Sequence, residues 1–139
     1  MNMHAATSEK SNLPYNVFIS ASHKDRDLAR DLARRLKEVS VGVTYSELTA
    51  SVGSNYEKTV MGLLKSADEI IVILSSNSVD NFWMMFEIGA ASSLRKKITP
   101  VVVGLEKQEL PPVIQQLKYI RYDKLSEYIS RIGSGARAA

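Results

Sequence analysis

Residues 68–104 read DEIIVILSSNSVDNFWMMFEIGAASSLRKKITPVVVG, and the organisation of the whole chain follows from their pattern. IIVIL at 70–74 is apolar at every position, which a strand tolerates only when both of its faces are covered. NFWMMFEIGAASSLRKK has the length and content of a helix, and ITPVVVG at 98–104 is again apolar and β-branched. Toward the N-terminus, YNVFIS at 15–20 is another short apolar run. After it Leu28, Leu32, Leu36 and Val39 recur at helical spacing, with a charged outer face on which Asp31 precedes Arg35 by four. VGVTY at 41–45 reads as a strand, followed by a polar loop through Gly53 and a helix from about Asn55 carrying Tyr56, Val60, Leu63, Leu64 and Ala67. Toward the C-terminus, the LPP breaker at 110–112 precedes a short helix. A weaker strand, LKYIRY, and a helix on Leu125, Tyr128, Ile129 and Ile132 complete the pattern.

Five strands separated by helices, several of them apolar on both faces, describe a doubly wound α/β domain with a parallel sheet covered on both sides. Such sheets bind ligands just beyond the carboxyl ends of their strands. Chemistry is therefore expected after Ser20, Tyr45, Ser75 and Val103.

Composition narrows the function classes. The 139 residues carry 18 Lys+Arg against 15 Asp+Glu, so the formal charge of +3 is a small difference between balanced populations and not the mark of a polyanion-binding arm. With 45% hydrophobic and 24% charged residues, a single globular domain is the natural expectation, large enough to fold without disulfides or a structural metal. There is no cysteine, which removes thiolate nucleophiles and zinc knuckles. The two histidines, His4 and His23, lack metal-ligand spacing, so no metal is expected. No apolar run approaches the roughly 18 residues of a membrane span, and the N-terminus lacks a signal peptide's apolar core. A cytoplasmic location is the expectation, without membrane contact. Residues 1–13 and 133–139 are unpatterned and are expected to be flexible tails around a domain at 14–132, itself part of a larger protein.

The seven glycines satisfy neither the GxGxxG dinucleotide fingerprint nor a P-loop. A phospho-acceptor receiver domain needs a carboxylate where the third strand here ends in ILSS, and the GxSxG elbow of a serine hydrolase is absent. Ser20 and Ser22 read as caps of the first helix. Arg95, Lys96 and Lys97 complement a helix dipole and do not call for nucleic acid.

Glu87 stands apart. It is the one charged residue in FWMMFEIGAA at 82–91. An ionised carboxylate in apolar surroundings must be paired, protonated or facing a cavity where a ligand supplies its partner. Trp83 lies one helical turn away, and the same face carries Ala90, Ala91 and Leu94, which leaves space beside a flat indole wall suited to an aromatic ligand. Two readings stay open on these residues: a glutamate paired with a nearby Lys or Arg beside an ordinary core Trp83, or a functional acid in a cleft.

The segments YNVFISASHKDRD, SELTASVGSNYEKTV, SADEIIVILSSNSVDNFWMMFEIGAA and LPPVIQQLKYI, in this order and spacing, resemble the TIR (Toll/interleukin receptor) domains, bacterial members included, over about 15–132. The resemblance implies a flavodoxin-like sheet of five parallel strands in the order 2-1-3-4-5. It implies that Glu87, four residues after Trp83, is the catalytic residue of a NAD+-cleaving enzyme, with NAD+ as substrate and no cofactor. By the same resemblance Ser20, Ala21, Ser22 and His23 after the first strand, Tyr45 and Ser46 at the end of the second, and Trp83 would line the substrate cleft. It further implies self-association with other TIR domains as the activating event and a place in bacterial immune or cell-suicide signalling. The chain departs from the pattern at Ala21, where relatives often have an aromatic residue, at Ser46, where they often have an acid, and at Val52, where proline usually precedes the glycine. A noncatalytic TIR interaction module, and a nucleotide hydrolase or deoxyribosyltransferase-like enzyme using its acid on a nucleoside, are the alternative readings.

Overall fold

The computed structural model describes residues 13–45, 54–78 and 81–138. Its five strands are β1 Asn16–Ser20, β2 Gly42–Tyr45, β3 Glu69–Leu74, β4 Lys97–Val102 and β5 Ile120–Arg121. They form one sheet in the order β2-β1-β3-β4-β5, and every neighbouring pair is parallel. The helices are α1 Arg26–Glu38, α2 Ser54–Ser66, α3 Phe82–Ser93, α4 Pro112–Gln115 and α5 Leu125–Ala138. This is the flavodoxin-like arrangement expected from the sequence.

Alternation along the strands builds a core on each face. Val17, Ile19, Ile71, Ile73 and Val101 meet Leu32 and Leu36 of α1 and Leu125, Tyr128 and Ile129 of α5. Phe18, Ile70, Val72, Leu74 and Val102 meet α2 through Val60 and Leu64, α3 through Met84 and Ile88, and α4 through Ile114. β1 and β3 are buried along their whole length. Each fully buried Leu or Ile contributes roughly 1.5–3 kcal/mol to this assembly.

Three boundaries differ from the sequence reading. The first is the end of α3, which stops at Ser93, because Arg95 adopts the left-handed conformation (φ 58°) and its N–H returns to Ser92 O at 3.0 Å. Lys97 consequently opens β4 instead of closing a helix. The second is the 3-10 turn His23–Asp25, which precedes α1 where a continuous helix was expected. The third is α5, which continues to Ala138 through residues expected to form a tail. A side chain at Gly133 would place its Cβ 2.8 Å from that of Val39, so α5 crosses the end of α1 at a position only glycine fits.

The amino end of the sheet is closed by a buried carboxylate. Glu69, at the start of β3, is fully buried and accepts from Tyr15 Oη at 2.6 Å, from Thr99 Oγ1 at 2.5 Å and from the Tyr128 hydroxyl. Burial, and then the neighbouring Glu69, pushes both phenols well above their ordinary range. No helix among the described residues is long and apolar enough to cross a membrane.

Candidate active site

In this strand order the chain turns from β1 to β2 on one side and returns to β3 on the other, so its connections diverge between β1 and β3. The crevice beyond the carboxyl ends of those two strands is the expected ligand site of the fold. Ser20 is the last residue of β1, and α3, the helix after β3, carries Glu87. Because Phe18 packs on the α3 side of the sheet and Ile19 on the α1 side, Ser20 turns toward α3. Its Oγ donates to Glu87 Oε1 at 2.5 Å. The two residues are 2% and 3% exposed, so the bond is buried. Glu87 therefore sits at the switch point, with the Ser20 hydroxyl as one partner.

The helix that carries Glu87 is fixed at its start. Asn81 caps α3 by accepting from Met84 N at 2.9 Å. The preceding loop is held by Asp25, a residue the sequence reading passed over. Its buried carboxylate accepts from Ser75 Oγ at 2.6 Å and from Asn77 Nδ2 at 2.9 Å. Ser78 Oγ accepts from Ser75 N at 2.9 Å and tightens the same turn. The β1–α1 and β3–α3 connections are thus joined to each other beyond the carboxyl ends of β1 and β3.

The remaining sequence-derived residues separate into distinct roles. Trp83 is half-buried on α3, in edge-to-face contact with Phe82 (centroids 5.5 Å apart) and Phe86 (5.9 Å), and packs against the α2–α3 core. Ala91, one turn beyond Glu87, is buried, and Ala90 and Leu94 are partly buried. Ser22 caps the 3-10 turn His23–Asp25 and not the first α-helix as expected, accepting from Lys24 N at 3.2 Å, whereas Ser20 donates to Glu87. His23 is exposed, with its Nε2 2.8 Å from Arg26 Nη1. Ala21 and Tyr45 are partly buried against the α1–α5 side of the sheet, the face opposite α3. Tyr45 lines a groove of about 510 Å³ with Arg30, Arg34 and Lys37 of α1. Ser46, Val52 and Gly53 lie outside the described residues. Among the described residues no group of three or more His, Asp or Glu could hold a metal ion.

A carboxylate in its ionised form can stabilise positive charge developing nearby, and a hydroxyl donor adds no opposing charge of its own. Proteins of this kind are α/β domains with an acid at the topological switch point. The family model for the TIR domain matches residues 17–132, and the chain belongs to that family. It is 28% identical over 112 residues to the NAD(+) hydrolase TcpA of Theionarchaea archaeon (strain DG-70-1), covering 77% of this chain and 34% of that protein. It is 30% identical over 101 residues to the 2' cyclic ADP-D-ribose synthase BtTIR of Bacteroides thetaiotaomicron, covering 69% of this chain and 35% of that protein. The chain thus spans about a third of the length of these relatives. Among solved structures, the TIR domain of the Toll-related receptor TRR-2 from Hydra magnipapillata superposes with a TM-score of 0.70 at 16% identity. That match covers 88% of this chain and 98% of the other, and bears on the fold alone.

Proposed function

We propose that this TIR domain cleaves NAD+ at the bond between nicotinamide and ribose, with Glu87 as the catalytic residue, and that self-association activates it in bacterial immune or cell-suicide signalling. The observation that carries the reading is the placement of Glu87: buried, held by Ser20, on the helix of Trp83 and at the switch point of the sheet. The names of the relatives, NAD(+) hydrolase and 2' cyclic ADP-D-ribose synthase, support the choice of substrate.

One carboxylate is enough for this chemistry. O-glycosidases use two, because an alkoxide leaving group has to be protonated. Nicotinamide leaves a pyridinium as a neutral molecule and takes the bonding pair with it, so no general acid is needed. Glu87 stabilises the oxocarbenium-like ribose that remains, in surroundings made apolar by Trp83 and its neighbours. Water attacking the anomeric carbon and losing a proton gives ADP-ribose, whereas attack by a hydroxyl of the same molecule, with loss of its proton, gives a cyclic product.

Nicotinamide release from NAD+, followed at rising protein concentration, tests the proposal. Wild type should turn over, more per molecule as concentration rises, and Glu87→Ala should reduce release by at least about 100-fold while its thermal unfolding stays cooperative. Comparable release by Glu87→Ala removes the mechanism. A folded wild type that consumes no NAD+ at any concentration leaves the noncatalytic interaction module.

A further inference from the structure

We infer that Ser20 is a positioning residue for Glu87, and that the hydroxyl it donates from the end of β1 sets the plane and reach of the carboxylate before substrate arrives. The inference rests on Glu87 being the group that meets the ribose. It replaces the role the sequence suggested for Ser20, that of a substrate contact.

Three observations carry it. First, Ser20 is 2% exposed and its Oγ lies 2.5 Å from Glu87 Oε1, so the hydroxyl is directed at the carboxylate from inside the protein. A hydroxyl donating to a carboxylate, when that carboxylate is ionised, makes one of the stronger neutral-donor hydrogen bonds. Second, the donor is immobile. Ser20 ends a strand buried along its whole length and paired on both sides, to β2 and to β3. A glutamate side chain on a helix has three rotatable bonds, and tying one oxygen to such a strand removes most of that freedom. Third, the helix end of the bridge is fixed independently, by the Asn81 cap and by Asp25 holding Ser75 and Asn77. Both attachment points of the carboxylate are therefore set by the scaffold and neither by the ligand.

The chemical identity of the donor matters as well as its position. Lysine or arginine could hold Glu87 as firmly, but would neutralise the charge that an oxocarbenium-like ribose needs. Serine orients the carboxylate without adding an opposing charge of its own. Alanine would remove this donor from the buried Oε1.

The test compares Ser20→Ala, Ser20→Thr and Glu87→Gln with wild type by steady-state nicotinamide release from NAD+, thermal unfolding, and NMR of protein labelled with ¹³C at the glutamate side-chain carboxyl. The Glu87 resonance is identified by its loss in Glu87→Gln. Ser20→Ala should lower kcat about 10- to 100-fold, the scale expected for a displaced catalytic group. Its KM for NAD+ should stay within about twofold, and Ser20→Thr, which keeps the donor, should recover most of the turnover. The Glu87 resonance should shift or broaden in Ser20→Ala and stay near its wild-type position in Ser20→Thr. Should Ser20→Ala not fold, Ser20→Cys keeps the volume with a weak donor and is expected to show the same loss of kcat. Unchanged kcat in the folded variant overturns the inference, as does a raised KM at constant kcat, which would make Ser20 a substrate contact. An unmoved Glu87 resonance overturns it too. Failure of the proposed function is separate: Glu87→Gln would then release nicotinamide like wild type, while the resonance would still report whether Ser20 holds the carboxylate.

Discussion

Asp25 and Glu87 are both buried carboxylates at the carboxyl end of the sheet, and they accept from different hydroxyls. Each oxygen of Asp25 accepts one hydrogen bond, from Ser75 and from Asn77, so it ties two loops together. Asp25→Ala leaves the Ser75 hydroxyl without its acceptor and should lower stability by about 1–3 kcal/mol in urea unfolding. Asp25→Asn keeps an acceptor for one of the two donors and should lose clearly less; equal losses in the two variants would deny the hydrogen bonds their role. Glu87 was legible in the sequence because it stands alone among apolar residues, where a charge demands a reason. Asp25 was not, because it lies in HKDRD, where every neighbour is charged and one more carboxylate says nothing. Its partners are 50 and 52 positions away in sequence and meet it only through the crossover between β1 and β3.

Among the elements, α5 shows how packing overrides composition. A glycine inside a helix costs about 1 kcal/mol relative to alanine, so GSGARAA reads as the end of structure. Gly133 is instead required where α5 passes Val39. Gly133→Ala should therefore lower the unfolding free energy by about 1–3 kcal/mol despite the better helix propensity of alanine. Adding Val39→Ala should recover part of that loss in a double-mutant cycle, and strictly additive effects would show that the two positions do not meet. The end of α3 was illegible for a related reason. SSLRKK continues a plausible helical pattern, and the left-handed turn at Arg95 is imposed by the need to bring Lys97 into register with Glu69 on β3.

For the molecule as a whole, the α1–α5 layer is closed by Tyr122, just before α5, donating to Asp31 Oδ2 on α1 at 2.6 Å. The hydrogen bond from Tyr122, followed by that from Arg34, holds the Asp31 carboxyl below its ordinary value of 3.8. Burial first, and then the bond to Asp31, pushes the Tyr122 phenol up to about 12. A lowered carboxyl stabilises the fold fully above about pH 4 and loses that effect as pH falls further; a raised phenol stabilises below about pH 10 and loses it toward pH 12. Tyr122→Phe should therefore flatten both limbs of the stability profile, measured as urea midpoints across pH, while changing the slope near pH 7 little. An unchanged profile would show that the contact does not couple to folding.

The amino-acid sequence alone determined the fold class, the order of the elements and the candidate acid, because hydrophobic periodicity and an isolated charge are local signals that survive in one dimension. Only the tertiary structure decided what each polar group does. It committed Ser20 to Glu87, turned Tyr45 to the opposite face of the sheet and joined Asp25 to Ser75. The physical reason is range: a hydroxyl or carboxylate is defined by the partner within 3 Å of it, and in a crossover fold that partner comes from a distant part of the chain.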